Sequence, residues 1–216
     1  MLKQTRTPNL IALFMPVSVG LSLLLSACGE GGDENGGDGS ISAVTTTSIT
    51  GTTQPYDRDL YNHWIDADQD CQDTRQEVLI EESQIPVTYK TDKQCSVASG
   101  QWLDPYTDTV FTDPGDLDVD HVVPLKEAHI SGAHLWDSEK KEQYANDLEE
   151  EGHLIAVWLS ANRSKGAKDP AEWVPPYTPF HVEYAKIWIQ IKSKWELSYD
   201  AAEIEALQTI LGEDFF

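Results

Sequence analysis

From Tyr56 onward, apolar residues fall into short groups whose spacing predicts local structure. Residues 57–65 have helical spacing, with Leu60, Tyr61 and Trp64 on one face. A short helix is expected over residues 74–82. A β-rich middle follows at Val87–Tyr89, Gln101–Leu103 and Thr109–Phe111. Asp104-Pro105 and Asp113-Pro114-Gly115-Asp116 separate its pieces as turns. Leu117 to Val123 is a compact apolar and acidic stretch stopped by Pro124. Helices dominate afterwards. One spans Leu125 to His134 with a stop near Gly132, and another runs from a Ser138 cap to about Leu148. His153 to Trp158 reads as a buried strand, and Ser160 to Lys165 as a short helix ended by Gly166. Thr178-Pro179 opens a helix that puts Tyr184, Ile187, Trp188, Ile191 and Trp195 on one face. Asp200 and Glu203 form a capping-box start for the last helix. The expected class is α+β, rich in helix, with a small antiparallel β element in its centre.

The N-terminus has a different pattern. Lys3 and Arg6 precede an apolar run from Leu10 to Leu25, broken by Pro16 and Gly20. A positive start, an apolar stretch and small residues before a cut describe a secretory signal. The run is too short and interrupted for a membrane-spanning helix. Its end, Leu25-Ser26-Ala27-Cys28, resembles the bacterial lipobox. That resemblance implies that residues 1–28 are a lipoprotein signal peptide, that Cys28 is acylated, and that the protein hangs from a membrane in the cell envelope. An ordinary cleaved signal is the competing reading. Residues 29–55, rich in Gly, acidic residues and Thr, offer little apolar surface to bury and read as a flexible tether. The folded domain is then 56–216. Export bears on the remaining cysteines, since an oxidising compartment favours a Cys71–Cys95 disulfide. Its loop of roughly 25 residues would be worth about 3 kcal/mol in the chain-entropy model. A zinc site competes, weakened by the lack of a CxxC spacing.

Net charge changes the picture again. At -22 the chain repels polyanions, whereas phosphate binding rests on Lys and Arg. A nucleic-acid role must therefore be carried by a local site. The plain reading of the charge is solubility, in a habitat where salt screens repulsion.

Three stretches carry candidate chemistry. Leu117-Asp118-Val119-Asp120-His121-Val122-Val123-Pro124 sets a His beside a carboxylate in an apolar strand. Ala161-Asn162-Arg163-Ser164-Lys165-Gly166 puts an amide and cations in one turn after a buried strand. Cys71-Gln72-Asp73-Thr74-Arg75 adds an Arg beside a cysteine. Phosphodiester hydrolysis needs a base near neutral pH, which suits a His. It also needs a divalent metal on hard oxygen ligands, such as Asp120 and Asn162, and a cation such as Arg75 or Arg163 on the phosphate. Each residue also has a plainer reading: a structural Asp–His pair, a capping amide, a solvated lysine. His129 and His134, five apart, suit half-buried positions better than a zinc site.

Asp120-His121-Val122-Val123-Pro124 followed by Asn162-Arg163-Ser164-Lys165-Gly166 resembles the HNH, or ββα-metal, nucleases. The likeness is closest to exported bacterial members, which also carry segments like Cys71 to Arg75 and Trp102 to Tyr106. The resemblance spans about residues 61–195. It implies a central ββα-metal motif, His121 as general base, and Asp120 and Asn162 as ligands of one divalent ion, Mg²⁺ or else Mn²⁺. Arg163 and Lys165 would bind substrate, and Arg75 would contact phosphate. The motif's middle position, an Asn that orients the base through the backbone, falls on His153 or on Asn146. The implied substrate is nucleic acid, DNA before RNA, cut with little sequence preference. The membrane is a partner through the lipid, and no protein partner is inferred. Two other functions remain open: a non-catalytic envelope lipoprotein on the same scaffold, and a metal-dependent phosphoesterase of another substrate.

Overall fold

The computed structural model describes residues 54–212. The signal segment, Cys28 and the tether up to residue 53 lie outside the described residues. The rest is a mixed α+β structure. Its elements are α1 (Thr74–Glu81), β1 (Thr88–Tyr89), β2 (Val97–Ser99), β3 (Trp102–Asp104), β4 (Thr109–Phe111), β5 (Leu117–His121), α2 (Leu125–Ile130), α3 (Ser138–Ala145), β6 (Leu154–Trp158), α4 (Leu159–Lys165), α5 (His181–Lys194) and α6 (Ala201–Leu211). The described strands form three antiparallel pairs, β1–β2, β3–β4 and β5–β6. No helix among the described residues is long and apolar enough to cross a membrane.

The pair that matters is β5–β6, whose register runs from Leu117 opposite Trp158 to His121 opposite Leu154. Alternation along β5 sends Leu117 and Val119 into a core with Leu154, Ala156, Val78, Leu79 and Trp102. On β6 the intervening Ile155 and Val157 enter the second core, with Tyr144, Tyr184, Trp188 and Ile191. This strand therefore packs on both faces, which is why its sequence is apolar without alternation. α4 follows β6 with no linker and ends at Gly166, whose φ of 61° and ψ of -120° suit a residue without Cβ.

Several sequence expectations change. The helix expected over residues 57–65 is only a 3₁₀ turn, Arg58–Leu60. Trp64 takes a left-handed φ of 61°, which breaks the helical path. The helix expected from Leu125 stops at Ile130, because Gly132 has a φ of 132°, and a 3₁₀ turn at Ala133–Leu135 follows it. Asp137, not Ser138, caps α3, accepting from the Lys140 amide. The same helix ends at Ala145 rather than Leu148, for a reason that belongs to the site. β2 went unforeseen, being three residues with one buried side chain. The Cys71–Cys95 disulfide forms as expected and joins the start of α1 to the β1–β2 connection. The capping box at Asp200 and Glu203 also forms.

Candidate active site

A cavity of about 290 Å³ opens where β5 ends. Its walls include Asp120 and His121 from the strand, Asn162 and Arg163 from α4, and Arg58 and Lys126. Strand alternation and helix periodicity bring these together. Asp118 and Asp120 leave β5 on the side opposite Leu117 and Val119, where α4 packs. Asn162 Nδ2 donates to Asp118 Oδ2 at 3.3 Å, and Arg163 Nε lies 3.6 Å from the same oxygen. Asn162 Oδ1 has no protein partner among the described residues. One turn further on, Lys165 Nζ lies 2.9 Å from Asp120 Oδ1 and 2.7 Å from Oδ2. Tyr106 OH donates to the same carboxylate at 2.7 Å.

His121 is 5 % exposed and lies among rings, with Trp64 at 5.6 Å, His153 at 5.9 Å and Tyr144 at 6.4 Å between centroids. Its Nε2 lies 2.9 Å from the Ala145 carbonyl. A carbonyl only accepts, so Nε2 carries the proton and Nδ1 is the basic nitrogen. Burial pushes the His121 pKa well below the ordinary 6.5, and His153 adds to this, while the Ala145 bond opposes it. The imidazole is therefore neutral at pH 7, as a general base must be.

What holds the Ala145 carbonyl is the next residue. Asn146 ends α3 because its side chain is committed elsewhere. Nδ2 donates to the Asn62 and Glu142 carbonyls at 2.7 and 2.8 Å. Oδ1 accepts from the Ile65 amide at 3.2 Å and the Thr74 hydroxyl at 2.8 Å. All four hydrogen-bonding positions of the amide are filled. His153 acts one residue earlier, donating from Nε2 to the Tyr144 carbonyl at 2.7 Å while its own carbonyl accepts from Val122 at 3.0 Å. The two candidates for the middle position thus hold successive residues of one segment, and Asn146 is the one adjoining the carbonyl bonded to His121.

Two sequence candidates, Arg75 and Lys165, sit differently from expectation, while His153 has the buried place read for it. Arg75 is not at the cavity. Its guanidinium donates to the Pro114 and Leu117 carbonyls at 3.0 and 3.1 Å, clamping the start of β5. His153 is fully buried behind His121. Lys165, expected on the surface, is 0 % exposed. Burial pushes its pKa down and that of Asp120 up, and their contact opposes both shifts. Conversely Tyr106, Trp64, Arg58 and Lys126 were not assigned from sequence. Tyr106 lies inside the quoted Trp102–Tyr106 segment, so a signal existed; the other three had none.

A larger cavity, of about 440 Å³, lies behind Asn146 and is walled by Ile65, Leu148, Trp195 and several carboxylates. It holds neither the imidazole nor the Asp120–Asn162 pair. The smaller cavity is the better candidate on chemistry.

Residues 73–213 match the family model of the C-terminal domain of GmrSD restriction endonucleases. The chain belongs to this endonuclease family. It is also similar to a protein of Arthroderma benhamiae described as an uncharacterized secreted protein, at 36% identity over 173 residues, covering 80% of this chain and 82% of the relative. No solved structure matches. The family-matched stretch takes in α1, the β5–β6 pair, α4 and all of the smaller cavity's walls named above except Arg58. The nuclease assignment and the cavity therefore fall on the same part of the chain.

Proposed function

We propose that this protein is an exported, metal-dependent endonuclease of the HNH type, cutting DNA with little sequence preference. The observation that carries the reading is the convergence of His121, Asp120 and Asn162 on one open cavity of a strand–strand–helix unit. The donor set suits a hard divalent ion such as Mg²⁺ or Mn²⁺: a carboxylate from Asp120 and the free amide oxygen of Asn162. Bound there, the metal would supply positive charge to the phosphate and the leaving oxygen.

The protein's own residues do the rest. His121 Nδ1 accepts a proton from water as its oxygen attacks phosphorus, and the bond to the leaving sugar oxygen breaks. The Ala145 carbonyl fixes the tautomer that makes this possible. Arg58, Lys126 and Arg163 line the cavity and are the cations placed to meet phosphate. On this reading Arg163 keeps the substrate contact expected of it, and Arg58 and Lys126 take those expected of Arg75 and Lys165. Export is supported by the signal-like N-terminus and by the relative described as secreted. Anchoring through a lipid on Cys28 rests on the lipobox likeness.

The test is plasmid nicking by the purified protein in Mg²⁺ or Mn²⁺, with EDTA and His121→Ala lanes alongside. Nicking that disappears in both lanes is the expected result. Nicking that persists in His121→Ala, or its absence with every divalent metal tried, sinks the assignment.

A further inference from the structure

Lys165 is the most tightly held cation of the site. Its three ammonium protons go to Asp120 Oδ1 at 2.9 Å, Asp120 Oδ2 at 2.7 Å and the His121 carbonyl at 2.8 Å. No donor is left for a phosphate, and no surface of the residue reaches solvent. The side chain that the Asn-Arg-Ser-Lys segment offers as a substrate contact is therefore spent inside the protein. Its position follows from the helix: Asn162 and Lys165 are three residues apart, so both project from α4 toward the acidic side of β5. Burying a charge in this way costs heavily unless a partner compensates, and Asp120 is that partner.

Asp120 is thus already occupied by one cation. Oδ2 is committed to Lys165 and Tyr106, and Oδ1 to Lys165 alone. A carboxylate oxygen has a second acceptor direction, so Oδ1 can still face the cavity. We propose that Lys165 is a resident internal cation that shares Asp120 with the divalent metal. It holds the site assembled without metal and keeps metal affinity low. The inference rests on the metal-dependent reading above and deepens it. The physical reason is direct: an ammonium beside a metal ligand repels a divalent ion and offsets the carboxylate's charge, whereas its removal leaves the full carboxylate to the metal. Lys165 is a positioning residue, acting on the Asp120 carboxylate and, through its carbonyl, on His121.

The experiment measures metal binding rather than turnover. Melting temperature is followed against Mn²⁺ concentration for the wild-type chain, Lys165→Met and Asp120→Asn. Lys165→Met is expected to melt lower than wild type in EDTA. It is then expected to gain more from Mn²⁺, with a midpoint on the order of tenfold lower in concentration. Asp120→Asn is expected to lose the response. A Lys165→Met midpoint equal to or higher than that of wild type overturns the inference. If Lys165→Met does not fold in EDTA, recovery of a cooperative transition in Mn²⁺ supports the inference, and failure in both buffers overturns it. Wild-type protein that nicks DNA in Mn²⁺ separates the two readings, because a failed Lys165 result then sinks this inference alone. Wild type that neither binds Mn²⁺ nor nicks in its presence sinks the metal reading and this inference together.

Discussion

At the scale of the residue, the site is built by groups whose own hydrogen bonds are complete. Asn146 never touches the cavity imidazole, yet all four of its bonds fix the backbone whose Ala145 carbonyl selects the His121 tautomer. Asn146→Ala takes the side-chain partner from the Ile65 amide and from the Asn62 and Glu142 carbonyls, while the Thr74 hydroxyl keeps its bond to the Ile65 carbonyl. A loss of roughly 1–3 kcal/mol in unfolding free energy is expected. The imidazole also loses its guide, so kcat should fall on the order of a hundredfold with KM nearly unchanged. Steady-state kinetics on a defined duplex checks this. A rise in KM with kcat intact would mean that Asn146 belongs to substrate binding instead.

At the scale of the element, β6 and the segment before it carry two ionisable contacts of opposite pH behaviour. Burial lowers the His153 pKa to about 4 from the ordinary 6.5. The unfolded chain therefore takes up a proton before the folded one does. Stability from neutral His153 is present above pH 6.5 and is lost as pH falls toward about 4, a difference of roughly 3 kcal/mol. Glu82 behaves in the reverse sense. It accepts from the Ala156 amide in mid-strand at 2.8 Å, and burial raises its pKa to about 7. Its contribution is complete below pH 4.5 and is lost as pH rises through about 7. Between these limits the two effects oppose each other and flatten the profile. Glu82→Gln keeps an acceptor for Ala156 and removes the titration. Urea unfolding of this variant should show stability rising with pH between about 4.5 and 7 more steeply than wild type does. Parallel profiles for the two proteins would remove Glu82 from the account.

At the scale of the whole molecule, the helical half is tied by one buried charge. Lys192 on α5 is fully buried and pairs with Glu127 of α2 at 2.8 Å and with Glu203 of α6. It also donates to Ser131 Oγ at 3.1 Å and the Ser198 carbonyl at 3.0 Å. Trp188 adds an indole bond to Glu203. Lys192→Met strands two buried carboxylates and is expected to cost about 3–5 kcal/mol, read by thermal or urea unfolding. Long-range charge has a separate consequence. On the proposed function a net -22 opposes the approach of DNA, while Arg58, Lys126 and Arg163, which line the cavity, would attract it only locally. Screening lengths shrink from about 30 Å at 0.01 M salt to about 10 Å at 0.1 M. Cleavage efficiency should therefore rise with salt at first and fall only when the local contacts are screened. A steady decline from the lowest salt would mean that the local cations dominate at every distance.

Much of this was legible in the chain. Apolar spacing foretold α1, β5, β6 and α4, because a strand packed on two cores and a short helix closed by glycine leave strong local patterns. Asp120-His121 and Asn162-Arg163 marked the cavity through their likeness to a known nuclease motif, since residue types and spacing alone do not show that they meet. The tertiary structure decided where each charge ends. Arg75 and Lys165 look alike in sequence as surface cations, yet one clamps the start of β5 and the other is sealed against Asp120. Arg58 and Lys126 carried no local signal and reach the cavity only through packing. Local sequence sets periodicity, caps and chemical type, which act over a few residues. The pairing of Asp120 with Lys165 joins segments 45 residues apart, and only the folded chain determines it.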